Sequence, residues 1–267
     1  MPSPDELFDV RGHSVIVTGA ASGLGLAIAD VFADAGATVT AVDIDADGLT
    51  RLAGRVRTKV LDVADLAGLE AMVGETVLET GRLDAVFANA GISAGPGFAF
   101  MESGRLENLD LMVWQRVLDT NLTSVAVLMR AAVAPMRSRG YGRIVVISSV
   151  GGVQAEPTVG YAYSATKAAV NNLVRHAAIE LAPHGILVNA IAPGPFRTNI
   201  AGGRMHLPEV AATFASKVPL GRVAEPEELK GLALFLGSPA SSYVTGTVIP
   251  IDGGELAGHH FAEGASA

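Results

Sequence analysis

The chain reads as an α/β protein: a single doubly wound domain whose seven-stranded, mostly parallel sheet is flanked by helices on both faces. Short β-branched runs alternate with helix-like segments, the order that right-handed crossovers between parallel strands require. Those runs are apolar at successive positions rather than at every second one, so each strand is expected to be buried on both faces. A composition of 49% hydrophobic and 17% charged residues, with 31 glycines in 267 positions, suits one large core. No repeat, low-complexity linker or shift in composition divides the chain, so residues 1–267 are expected to form one domain.

In order, strands are expected at Ser14–Thr18, Thr38–Val42, Thr58–Leu61, Ala85–Ala88, Ile144–Ile147, Ile186–Ile191 and Thr247–Ile251. Helices are expected at Leu24–Ala35, Leu66–Thr80, Leu111–Ser138, Tyr161–Leu181 and Pro226–Leu236, with a short one starting at Ala46 behind an Asp45 cap. Two irregular stretches, Ser93–Gly104 and Pro193–Pro208, follow the fourth and sixth strands. That places them at the carboxyl edge of the sheet, where open α/β sheets bind ligands. Residues 193–217 read as a substrate loop, with Asn199 to Lys217 as a mobile cover. Residues 257–267 read as a disordered tail carrying a solvated His259–His260 pair.

Several function classes are excluded. Without cysteine there is no disulfide, thiolate metal site or cysteine nucleophile, so redox chemistry must come from a cofactor. A net charge of −8 with no basic cluster argues against a nucleic-acid partner. Met1–Glu6 lacks the pattern of a signal peptide, and the longest apolar stretch, near Val125–Met136, is interrupted by Arg130. A cytoplasmic protein with no membrane partner is expected. None of the six histidines lies in a metal-binding helical pattern, so no catalytic metal is expected.

Two motifs carry chemistry. The first strand runs into Thr18-Gly19-Ala20-Ala21-Ser22-Gly23-Leu24-Gly25 and then a helix. Glycines allow backbone to approach a pyrophosphate, and a helix N-terminus supplies amide donors to it. Tyr163 and Lys167 stand four residues apart and so share a helix face, within a run of small and apolar residues. A nearby cation favours a phenolate, which would let a tyrosine shuttle protons. The plainer alternatives are a tight turn and a core tyrosine beside a snorkelling lysine.

The glycine spacing, Asn89-Ala90-Gly91, Asn121, Ser149, the Tyr163/Lys167 pair, Pro193-Gly194 with Thr198, and Ile251-Asp252-Gly253-Gly254 come in an order that resembles the short-chain dehydrogenase/reductase family over nearly the whole chain. The resemblance implies a single Rossmann-type domain. It also implies that Tyr163 is the proton donor or acceptor, that Lys167 lowers its pKa and binds the nicotinamide ribose, and that Ser149 holds the substrate oxygen. Asn121 would anchor a water linking Lys167 to solvent; its other reading is a buried amide satisfied by backbone. Ser148 competes with Ser149, which lies fourteen positions before Tyr163, one more than is usual in the family.

The same resemblance assigns Gly19, Ser22, Gly23, Leu24 and Gly25 to the phosphates, with Asn89, Ala90 and Gly91 beside the adenosine ribose. Asp62 and Val63 would meet the adenine, and Pro193, Gly194, Phe196 and Thr198, with Ala192, would bracket the nicotinamide. Asp43 ends the second strand where the ribose would sit, and no arginine or lysine in the glycine turn or at residue 44 would offset its repulsion of a 2′-phosphate. NAD is therefore expected over NADP.

Substrate residues are sought among Ile92, Phe98, Phe100, Met101, Val150, Gln154, Phe196, Ile200, Met205 and Leu207, which suggest an apolar or aryl secondary alcohol or its ketone. Tyr161 reads as lining or packing, and His206 as a lid residue that could meet substrate. The long segment between Asn89 and Trp114 would reshape the entrance or a subunit contact. A homo-oligomer is expected, a tetramer over a dimer. The alternatives are a 3-oxoacyl thioester reductase, against which Asp43 argues, and a non-catalytic NAD(H) sensor or scaffold.

Overall fold

Successive residues of the central strands face opposite helix layers, and this is what their unbroken apolar runs are for. The computed structural model describes residues 3–258. Its strands are β1 (Ser14–Thr18), β2 (Thr38–Asp43), β3 (Arg57–Val60), β4 (Ala85–Ala88), β5 (Gly142–Ile147), β6 (Ile186–Pro193) and β7 (Val248–Ile251). They form one sheet in the order β3-β2-β1-β4-β5-β6-β7. Every pairing is parallel, so the sheet is wholly rather than mostly parallel.

The helices are α1 (Pro4–Leu7), α2 (Gly23–Asp34), α3 (Ala46–Leu49), α4 (Leu66–Thr80), α5 (Leu111–Leu118), α6 (Ser124–Arg139), α7 (Tyr161–Leu181), α8 (Pro208–Ala215) and α9 (Lys230–Gly237). Ile16, Val86, Ile144 and Val188 pack with Leu69, Met72, Leu128, Met136, Val170 and Val174 of α4, α6 and α7. Their neighbours Val15, Val17, Phe87 and Val145 pack with Ile28, Phe32, Ala233 and Leu236 of α2 and α9. Fully burying one such side chain stabilises the fold by about 1.5–3 kcal/mol.

Three local features depart from the expected elements. The one-turn α1 arises from a capping box, in which the Ser3 hydroxyl accepts from the Glu6 amide and the Glu6 carboxylate accepts from the Ser3 amide. The expected continuous helix from Leu111 is broken by a π-turn at Asp119–Thr123, which separates α5 from α6. The 111–139 run is long and apolar enough to cross a membrane by length and composition, but its Val125, Leu128, Met129, Ala132 and Met136 are core residues. In the expected cover, the stretch after β6 folds into a 3-10 segment, Ile200–His206, followed by α8. The His259–His260 pair and most of the expected tail lie outside the described residues.

Because β1 pairs with both β2 and β4, the chain leaves β1 in one direction and returns on the other side. The divergence opens a crevice at the carboxyl ends of these strands.

Candidate functional site

The crevice is a cavity of about 1000 Å³ that runs from the β1–α2 turn to the loops after β5, β6 and β7. At its first end, Gly19 adopts φ +67°, a conformation open to glycine, and a Cβ there would come within 2.8 Å of Ala90 Cα. A Cβ on Gly25 would lie 2.0 Å from the Gly19 carbonyl oxygen. Gly25 therefore does not line the cavity; it lets α2 seat against the turn. Asn89 Nδ2 donates to the Thr18 and Gly19 carbonyls at 2.9 and 3.0 Å, and Thr18 Oγ1 accepts from the Asn89 and Ala90 amides. Thus Asn89 braces the glycine turn from the neighbouring strand as well as lining the cavity.

Ser22 caps α2 without a side-chain hydrogen bond, so its hydroxyl is free, and Ser22, Gly23 and Leu24 face the cavity. A Cβ on Gly23 would meet Thr198 at 3.2 Å, which brings the loop after β6 over the turn. Asp43 accepts from the Ala21 amide at 2.9 Å and the Asp45 amide at 3.0 Å. Those two bonds aim the carboxylate along the cavity wall beside Ile44, Asp62 and Val63, where the lining from Gly19 to Ala64 holds no arginine or lysine. Asp45 caps α3 through the Gly48 amide, as expected, and Asp62 accepts from the Ala64 amide.

The second end holds Ser149, Tyr163 and Lys167. Lys167 is 5% exposed, and its Nζ donates to the Ile147 carbonyl at 2.7 Å, 5.6 Å from the Tyr163 ring centroid. Burial pushes the ammonium pKa down to about 8. Burial also raises the Tyr163 hydroxyl, and a hydrogen bond with Ser149 pulls back part of that rise. The expected lowering of Tyr163 by Lys167 therefore does not dominate here; desolvation does. Ser148 is buried with its hydroxyl donating to the Lys167 carbonyl, which leaves Ser149 as the serine beside the tyrosine.

Asn121 is fully buried in the π-turn. Its Oδ1 accepts from the Ile92 amide at 2.8 Å and its Nδ2 donates to the Ile92 carbonyl at 2.9 Å. Its side chain thus ties the turn after β4 to the helix, the plainer of its two readings, and does not line the cavity. A Cβ on Gly91 would lie 3.3 Å from Asn121 Oδ1 and 3.6 Å from Lys167 Nζ, so both groups converge on that glycine.

Pro193, Gly194, Phe196 and Thr198 line the cavity as expected, whereas Ala192 is buried inside β6. Of the expected substrate residues, Ile92, Phe100, Val150, Phe196, Ile200 and Met205 line it. Phe98, Met101, Gln154 and Leu207 do not: they are exposed, and Phe98 stacks on Tyr161 at 6.3 Å, making Tyr161 a packing residue. His206 lies against Asn199 at 3.2 Å, outside the lining. The stretch after β6 is held by Met205 and Ala211, which join Val223 in a small core of their own, with Phe100 beside Phe214.

Sequence reasoning did not single out the α5 residues Met112, Gln115 and Arg116 or Arg204 of that stretch, which also line the cavity. Nor did it find Glu156 and Glu255. Glu156 is pushed up by burial, but hydrogen bonds from Thr158 and from Lys217 at 3.1 Å outweigh this and leave it lowered. Glu255 is pushed up to about 7, first by burial and then by the nearby Glu156 charge. The only available signal was two glutamates bordering glycine- and proline-rich turns. Among the described residues, no cluster of three or more histidine or acidic side chains is placed to hold a metal ion.

Comparison with known proteins agrees with this architecture. A family profile described as enoyl-(acyl carrier protein) reductase matches residues 19–255. The cis-4-hydroxycyclohexanecarboxylate dehydrogenase of Sinomonas cyclohexanicum is 39% identical over 249 residues, 91% of this chain and 96% of that one. The 3-oxoacyl-[acyl-carrier-protein] reductase of Thermotoga maritima is 39% identical over 253 residues, 92% and 98% of the two chains. Among solved structures, a protein from Beutenbergia cavernae, provisionally named an NAD(P)-dependent gluconate 5-dehydrogenase and holding NADP at low occupancy, superposes with a TM-score of 0.83. It is 39% identical and covers 94% of this chain and 100% of its own. The chain belongs to the short-chain dehydrogenase/reductase family, a family of oxidoreductases that bind a nicotinamide cofactor.

Proposed function

We propose that this short-chain dehydrogenase/reductase transfers a hydride between NAD and a secondary alcohol or ketone with a mainly apolar body. The observation that carries the reading is the gathering of Ser149, Tyr163 and the buried Lys167 at the far end of a cavity that begins in a glycine-and-helix cradle. The residues at hand suit a dinucleotide. The Gly19–Gly23 turn, the free Ser22 hydroxyl and the amides of α2 suit the pyrophosphate, and Asp43 suits a ribose diol. Bound there, the nicotinamide supplies the hydride acceptor or donor.

The rest is done by the chain. Ser149 orients the substrate oxygen through its hydroxyl. Tyr163 takes the hydroxyl proton as the carbinol carbon loses its hydride, or returns that proton in the reverse direction. Lys167 favours the phenolate form of Tyr163 once a proton has left, and Asn121 keeps the Ile92 turn in place around them. Oxidation needs Tyr163 deprotonated, so its rate should rise with pH through the apparent pKa of the Tyr163/Lys167 pair. Reduction should fall over the same range.

Asp43 supports NAD, because a 2′-phosphate would meet a carboxylate with no cation in the adjoining lining. We read the protein as a cytoplasmic homotetramer; the exposed apolar residues Leu106, Leu111 and Ile179, on α5, its approach and α7, support association between copies. The Thermotoga maritima relative favours a second reading, reduction of a 3-oxoacyl thioester. Both readings are tested by NADH formation from NAD, and the reverse with NADPH, across secondary alcohols and a 3-oxoacyl thioester. Tyr163→Phe should lower turnover by about 10²–10⁴-fold while NADH affinity holds. A variant that keeps full turnover would remove Tyr163 from the mechanism; activity confined to NADPH and thioester would install the second reading.

A further inference from the structure

Three charged side chains meet beside the reacting group without belonging to it: Glu156 after β5, Lys217 after α8 and Glu255 after β7. Lys217 donates to Glu156 Oε1, and Glu156 Oε1 also accepts from the amide and hydroxyl of Thr158. Glu156 is therefore supplied with donors. Glu255 is not. Its Oε2 is shielded from solvent and has no hydrogen-bond partner.

Glu255 lines the cavity, and a Cβ placed on Gly194 would lie 3.1 Å from that oxygen, so the carboxyl abuts the turn that closes the reacting end. The same cavity is lined by the apolar side chains of Ile92, Val150, Val159, Phe196, Met205 and Phe214. Buried polar atoms in folded proteins nearly always have partners, so a carboxyl that lines a ligand cavity while one of its oxygens has no donor in the protein points to a donor that arrives with the ligand.

We propose that Glu255, held beside the Lys217–Glu156 pair, recognises a second hydroxyl group on the substrate. The preferred substrate is then a compact, otherwise apolar diol, one of whose carbinol carbons is oxidised. This rests on the dehydrogenase reading above. A substrate carboxylate placed at Glu255, away from Arg116 and Arg204, would face Glu156 and Glu255 with only Lys217, already bonded to Glu156, to offset them. An ammonium would suit only an ionised Glu255 and would crowd Lys217. A hydroxyl suits either state, since it donates to a carboxylate and accepts from a carboxylic acid. Glu255, pushed up to about 7, populates both near neutrality.

The test is kcat/KM with saturating NAD at pH 8.5, where Glu255 is ionised, for cyclohexanol, the 1,2-, 1,3- and 1,4-cyclohexanediols and their monomethyl ethers. The best diol should exceed both cyclohexanol and its own monomethyl ether by about 10–100-fold. In Glu255→Leu the diol-to-cyclohexanol ratio should fall to about one, and Glu255→Gln, close in shape, should keep part of it. Taking the ratio within each variant cancels any loss of folded enzyme. Equal kcat/KM for cyclohexanol and every diol, or a ratio unmoved by Glu255→Leu, overturns the proposal and leaves the dehydrogenase intact. No NADH from any alcohol defeats the dehydrogenase reading itself.

Discussion

The two ends of the cavity are built differently. The glycine-turn end is made of backbone: carbonyls and amides at the tips of β1, β2 and β4, cross-braced by Thr18, Asp43 and Asn89, whose partners are main-chain atoms. The Tyr163 end is made of side chains from α5, the loops after β4 to β7 and the stretch around α8, where Met205, Ala211 and Val223 form a core separate from the two that flank the sheet. One end inherits its shape from sheet register. The other takes its shape from loop length and side-chain choice, so it can change without disturbing the first.

This contrast can be broken most directly at Gly25. In Gly25→Val the side chain would be driven into the Gly19 carbonyl, separating α2 from β1. We expect NADH affinity to fall by at least about 100-fold, with a stability loss of about 1–3 kcal/mol or more. Fluorescence titration and urea unfolding measure the two, and normal NADH binding would show that the turn can flex like a loop.

A second experiment separates chemistry from stability. The Lys167 pKa is about 8 in the fold against an ordinary 10.5, so its charged form is disfavoured there. The resulting cost is present below about pH 8 and fades as pH rises to about 10.5. Lys167→Met should therefore abolish turnover yet gain about 1–3 kcal/mol at pH 7, less what the lost Ile147 bond contributed, with the gain shrinking in unfolding curves at pH 9 and 10. A pH-independent difference would mean that desolvation is not what perturbs the lysine. The smallest effect on function is expected at Asp43. Asp43→Ser should cost about 1–3 kcal/mol of stability through the lost bonds to the Ala21 and Asp45 amides and shift the NAD-to-NADP ratio of kcat/KM toward NADP by about 10–100-fold; an unmoved ratio would take the carboxylate out of cofactor choice.

Legibility in the sequence follows the same divide. The strands stand within a residue or two of their expected bounds, and the central ones do so because burial on both faces writes a continuous apolar run; the edge strands depart from the expected two-sided burial, β3 being largely exposed and β7 half-buried, because each has a neighbouring strand on one side only. The cradle was readable because Gly19, Ser22 and Gly23 fall in one short segment and their spacing has a steric cause; Gly25 proved to serve the helix seat rather than the cavity wall. The break in the helix from Leu111 was not readable, since a π-turn keeps helical composition and changes only the bonding register. At the Tyr163 end, Phe98, Met101, Gln154 and Leu207 looked like lining because they are near it in sequence, yet they face solvent. Glu156, Lys217 and Glu255 come from three distant segments, and no periodicity announces that they meet.

The π-turn at Asp119–Thr123 sets a limit on how this chain can vary in length. One surplus residue lets the amide of Asn121 reach Ile92 while α6 still presents Val125, Leu128, Met129 and Met136 to the core. A single-residue deletion inside that turn would restore regular winding and keep the two halves in phase, but would take away the bulge that carries Asn121 to Ile92. A single-residue deletion in the regular turns on either side would instead rotate one half against the other by about 100°. In a library of one-residue deletions, the wide turn should therefore be the place where this helix loses the Ile92 clasp yet keeps its hydrophobic stripe, and its regular turns the places where it loses the stripe.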